Sequence, residues 1–130
     1  MNQTRRDQLA QEIMETFARY AEAFDASDID GINQFVSYPL AYVGDGQVAL
    51  IHEWPVNPAE LKASKGWHET VGVELEVVGV NETKAQLILK SGRRLREDGS
   101  PIEDFCAFYA WKKSDDGWRM FAISDVVMPV

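Results

Sequence analysis

Four side chains in this sequence pair a proton or a proton acceptor with apolar neighbours: Tyr20, Asp45, Tyr109 and Asp125. Tyr20 lies between Phe17 and Phe24 at helical spacing, so its phenol falls on the apolar side of its helix, where a buried hydroxyl needs a partner. Tyr109 alternates with Phe105, Ala107 and Trp111, a strand pattern that puts all four on one face. Asp125 closes a similar alternation with Phe121 and Ile123. Desolvation on such a stripe is how a carboxylate becomes a general acid or base near neutral pH. Plainer readings stand beside these. Tyr20 also fits a core tyrosine bonded to a backbone carbonyl, and Tyr109 a packed aromatic stripe. Asp125 also fits a rim aspartate paired with Arg94 or Arg96, and Asp45-Gly46 a tight turn.

Other reactive residue types point to less. His52 and His68 each precede a glutamate, but sixteen residues separate them and the i, i+4 spacing of a helical zinc site is missing. No metal and no cofactor is expected. Cys106, the single cysteine, sits mid-strand and reads as packing. Arg93, Arg94 and Arg96, beside Glu97 and Asp98, read as a solvated hairpin. Neither a phosphate-cradling glycine loop nor a nucleophile elbow occurs.

The composition narrows the partners. Thirteen basic against 21 acidic residues leave a net charge of −8 over 130 residues. That balance argues against a nucleic-acid binder, which needs a basic face, and against docking on an anionic membrane. No apolar run forms a signal sequence or a membrane span, so a soluble cytoplasmic protein is expected. One domain over residues 1–130 suits the length.

The elements that must position these residues follow from spacing. Leu9, Ile13, Phe17, Tyr20 and Phe24 predict a helix over about Arg5 to Ala26, with Thr4 as N-cap and Asp7 three residues on. Ser27-Asp28-Ile29-Asp30 opens a second helix carrying Ile29, Ile32, Phe35 and Val36 on one side. Leu40 to Val43, with Tyr42, and Gln47 to Ile51 form a short hairpin around Asp45-Gly46. Asn57-Pro58-Ala59-Glu60 starts a third helix, stopped by Gly66 and bracketed by Trp54 and Trp67, which are placed to close a pocket mouth. Four antiparallel strands follow, the third spanning Ile102 to Lys113 and the last Trp118 to Val127. This is an α+β chain with helices covering one face of a curved sheet. The other face, bearing Cys106, Phe108 and Ala110, is also apolar mid-strand, and a second subunit is the economical cover.

The stretch from Ala18-Arg19-Tyr20 through Asp28-Ile29-Asp30 to Phe35, and the closing run from Arg94 to Val127, resemble the nuclear transport factor 2-like superfamily, with its SnoaL-like and ketosteroid isomerase-like branches. The resemblance implies a cone-shaped curved antiparallel sheet wrapped around N-terminal helices, with a pocket in its concavity and a homodimer through the outer sheet face. It implies that Tyr20 donates to a developing enolate and that an aspartate near Asp45 is the base, although the strictly matching position is Gly44. Tyr109 takes the place of a second oxyanion donor, and Asp125 that of the acidic residue of SnoaL-like cyclases. Function then reads as a small, largely apolar molecule held by Phe17, Phe24, Tyr42, Trp54, Trp67, Phe105, Tyr109, Trp111, Phe121 and Ile123, with cofactor-free isomerase- or cyclase-type proton transfer next to a carbonyl. The alternative is a non-catalytic dimeric association or ligand-binding module, since this fold carries both.

Overall fold

A computed structural model describes residues 1–130. The first helix, α1 (Gln3–Asp25), starts two residues earlier than the spacing predicts. Its N-cap is Asn2, whose side-chain oxygen accepts from the Arg5 amide at 2.8 Å, while Thr4 lies inside the helix and Asp7 takes a hydrogen bond from Gln3. The second helix, α2 (Ile29–Asn33), is capped by Asp28, which accepts from the Gly31 amide. It ends before Phe35 and Val36, because strand β1 (Val36–Val43) claims Val36 for the sheet. Strand β2 (Val48–Ile51) returns after the exposed Asp45-Gly46 turn. Helix α3 (Pro58–Lys65) carries the expected Asn57 cap and the left-handed Gly66 stop.

Strands β3 (Glu69–Val80), β4 (Lys84–Leu95), β5 (Pro101–Ser114) and β6 (Gly117–Pro129) form an antiparallel meander. The sheet has six strands in the order β2-β1-β6-β5-β4-β3. One pairing departs from the antiparallel rule: β1 runs parallel to β6. Helices α1 and α2 intervene before β1, and β1 reaches the sheet only at its last-made strand.

Two irregularities decide which side chains face the helices. Between Ala110↔Ala122 and Trp111↔Met120, β6 carries one extra residue, Phe121. The bulge switches the inward set from Trp118 and Met120 to Ile123 and Asp125. In β4 the register shifts between Leu89 and Gly92, so the inward set Ala85, Leu87, Leu89 continues as Gly92 and Arg94.

The dry core fills one end of the sheet. Leu9 and Ile13 of α1 are fully enclosed with Ile32, Leu40, Leu87, Trp111 and Met120. Glu12 ties this end down by accepting from Trp118 Nε1 at 3.0 Å and Lys113 Nζ at 3.3 Å. The next two turns of α1, with Phe17, Tyr20 and Phe24, stand over the other end of the sheet, where packing is incomplete.

Candidate functional site

Between the C-terminal half of α1, the Trp54–Val56 segment, α3 and the concave sheet lies a cavity of about 240 Å³. Fifteen of its 20 lining residues are hydrophobic, the usual construction of a small-molecule site: apolar walls and a few convergent polar groups. A cavity of ~150 Å³ is enough to hold benzene. The space here suits a guest of one or two rings.

Aromatic rings form most of the wall. Tyr20 packs edge-on against Tyr109 and Trp54, with centroids at 6.1 and 5.9 Å, and Phe17 meets Tyr109 at 5.3 Å. Phe24 lies 5.8 Å from Trp67. Tyr42, Phe105 and Ile123 complete the predicted wall residues that the cavity gathers. Trp111 belongs to the sealed core, outside this cavity, and Phe121 sits at the bulge that makes Met120 the inward residue in its place. Asp45 is also outside, exposed in the β1–β2 turn.

The ionisable groups of the cavity lining are three phenols, two carboxylates and one guanidinium, joined by the Thr70 hydroxyl and the indole N–H groups of Trp54 and Trp67. Burial pushes the Tyr20 hydroxyl well above the ordinary phenol range, and Tyr109 and Asp125 add to that push. Burial likewise raises Tyr109, further helped by Asp125 and opposed by Arg94 and the Tyr20 hydroxyl. Both stay protonated donors across the physiological range. The Tyr42 hydroxyl, raised by burial and then by Asp125, donates to Asp125 Oδ1 at 3.3 Å. Asp25 stands exposed at the rim.

Arg94 is the residue that the sequence reading misplaced. It is not on a solvated hairpin; it is 8% exposed and forms part of the cavity wall. Its guanidinium pairs with Glu103, itself 5% exposed, and Glu103 also accepts from Lys65 Nζ at 2.8 and 2.9 Å. Burial works to raise the Glu103 carboxyl, but bonds from Lys65 and Arg94 outweigh it and hold the group below the ordinary range. The signal for this network was present: Glu103 extends the Phe105, Ala107, Tyr109 alternation by one step, and a carboxylate on that face requires a cation. The bulge before Gly92, which turns Arg94 inward, left no such mark.

Among metal-capable side chains, no group of three or more His, Cys, Asp or Glu converges. His52 and His68 are both exposed. No helix is long and apolar enough to cross a membrane.

A family model for NTF2-like proteins, DUF6841, matches residues 11–126, and the chain belongs to that family. No curated protein matches the sequence. Among solved structures, an NTF2-like protein of unknown function from Shewanella oneidensis is 16% identical with a TM-score of 0.64, covering 88% of this chain and 96% of its own. An NTF2-like protein with a cystatin-like fold from Novosphingobium aromaticivorans is 17% identical at a TM-score of 0.61, covering 91% and 80%. A second protein of that organism, provisionally described as an aromatic ring hydroxylase, is 14% identical at 0.60, covering 95% and 94%. At these identities the likeness is one of fold.

Proposed function

We propose that the protein binds a small, largely apolar molecule in this cavity and catalyses cofactor-free proton transfer next to a carbonyl. The observation that carries the reading is that one apolar cavity gathers a carboxylate, Asp125, and a pair of enclosed phenols, Tyr20 and Tyr109. Asp125 takes a proton from the carbon beside the carbonyl. The electron pair of that C–H bond moves into the carbonyl as an enolate oxygen. Tyr20 and Tyr109 hold that oxygen by donating hydrogen bonds, which count for more in a dry site than in water. Asp125 then returns the proton to the same carbon or a neighbouring one. Asp125 takes the role of base, since Asp45 stands outside the cavity.

The outer face of β5 and β6 favours an accompanying homodimer. Cys106 and Phe108 are only half-covered there and Val126 is 55% exposed, which suits burial against a second copy, whereas Ala110 is already buried within the single chain. A free thiol at Cys106 suits a reducing, cytoplasmic setting. The decisive experiment is a titration with 2-tetralone, a two-ring ketone, followed by NMR of deuterium exchange beside its carbonyl. Saturable binding with accelerated exchange supports the enzyme. Binding without acceleration leaves the ligand-binding module, and no binding removes the ketone-enolising reading.

A further inference from the structure

A second charge shares the cavity with Asp125, and its hydrogen bonding is incomplete. The Arg94 guanidinium is stacked 4.1 Å from the Phe105 ring centre and 5.0 Å from that of Trp67. Nη1 donates to Glu103. Nε is enclosed without any acceptor in the protein, and so is the indole N–H of Trp67 beside it. Nη2 donates to no protein group either. Buried donors are seldom left unpaired, because each then forfeits its hydration with no return.

Charge gives the same direction. Arg94 and Lys65 share the one carboxylate of Glu103, two positive charges against one negative, leaving the trio at +1. Lys65 bonds both oxygens of Glu103 and Arg94 reaches it through Nη1 alone, so the guanidinium is engaged by one of its nitrogens. The cavity thus has a cationic pole on β4 and β5 and an anionic one at Asp125 on β6. The two phenols feel both, Asp125 raising them and Arg94 lowering them.

We infer that the cavity takes a small aromatic or alicyclic carboxylic acid, its carboxylate on the Arg94 guanidinium and its ring against Trp67 and the phenols. This rests on the small-molecule reading of the cavity and adds its chemical class. A carboxylate answers a guanidinium fork that still has N–H groups to give, in a planar geometry that a neutral ring cannot match. The same anchor sets orientation, because an anion held at Arg94 keeps its charge away from Asp125 and leaves ring carbons facing that side. Asp25, exposed at the rim, is screened by water.

Calorimetric titration with 2-naphthoate and 2-naphthamide, which share ring and shape, tests this at pH 7. The acid is expected to bind at least tenfold more tightly than the amide. Arg94→Gln, which leaves Glu103 paired with Lys65 and the cluster neutral, should erase that preference while the amide still binds. Arg94→Lys, which keeps the charge but loses the fork, should reduce it. Equal affinity for acid and amide, or a preference that survives loss of Arg94, overturns the inference and leaves the small-molecule reading intact. If neither binds, nor does 2-tetralone, both fall together. Should Arg94→Gln fail to fold, the wild-type ratio and Arg94→Lys decide the matter.

Discussion

The Tyr42 hydroxyl donates to Asp125 Oδ1 at 3.3 Å from the neighbouring, parallel strand. That contact engages one carboxylate oxygen, and Oδ2 takes no hydrogen bond from the protein. The proposed base is therefore oriented on one side and available on the other. Asp125→Asn should lower deuterium exchange of bound 2-tetralone by about 100-fold or more, the span of a lost general base, with binding unchanged. Tyr42→Phe acts through Asp125 by removing its orienting hydrogen bond and should reduce exchange less than Asp125→Asn does. An unaltered exchange rate in Asp125→Asn would remove Asp125 from the mechanism.

Tyr20→Phe deletes one enclosed donor and leaves the ring packing of Phe17, Phe24 and Trp54 in place. Exchange should fall on the order of 100-fold, the effect of losing one oxyanion donor, with a much smaller change in affinity. A loss confined to affinity would make Tyr20 a wall residue only.

Glu103 makes a prediction about acid stability. Its folded pKa is depressed, so its contribution is complete above the unfolded carboxylate value, near pH 4.3, and is lost as pH falls through the folded value. Glu103→Gln should cost on the order of 3 kcal/mol at pH 7, because it leaves a buried guanidinium poorly paired. Urea unfolding as a function of pH should show the gap between wild type and variant narrowing below about pH 4. A gap that stays constant into acid would mean that the lost pair carries no charge-dependent stability.

Gly92 supports Arg94 from below. A Cβ at Gly92 would come within 2.7 Å of the Phe105 ring, which has no flexible end to yield. Gly92→Ala should displace that ring from its 4.1 Å stacking on Arg94 and destabilise the fold by about 1–3 kcal/mol. Calorimetric melting reads the cost directly.

The outer face supplies the prediction about assembly. Wild type should sediment at twice the monomer mass at micromolar concentration, and Phe108→Glu should sediment as the monomer, since a charge without a partner opposes burial. A soluble wild-type monomer would remove the dimer.

How much of this was legible in the chain depends on whether a feature is local. Helix α3, with the Asn57 cap and Gly66 stop, was readable because turn chemistry is carried by single residue types. The stripe Phe105, Ala107, Tyr109 and the helical spacing of Phe17, Tyr20 and Phe24 put those residues on the cavity side because no extra residue interrupts their period. Trp111 is on the predicted face but in the sealed core; which part of a face meets a void depends on the helix packed above it. Phe121 and Arg94 were misassigned for one shared reason: each lies at or just after a bulge, and an extra residue reverses facing without altering composition. The parallel contact of β1 with β6 was invisible because it joins segments some eighty residues apart.

That contact has a consequence for how the molecule is made. The last strand of the sheet in chain order, β6, occupies an inner position, flanked by β1 on one side and β5 on the other. Until it arrives, the hairpin of β1 and β2 has no neighbour on its inner side, and α1 has no complete floor to lie on. Long-range closure of this kind is slow relative to local pairing. Part of the apolar side of α1 therefore stays uncovered until β6 has been made, a window in which chaperone binding is favoured. Asp125 enters within that final strand, so the polar group proposed to do the chemistry is installed only in the step that completes the sheet.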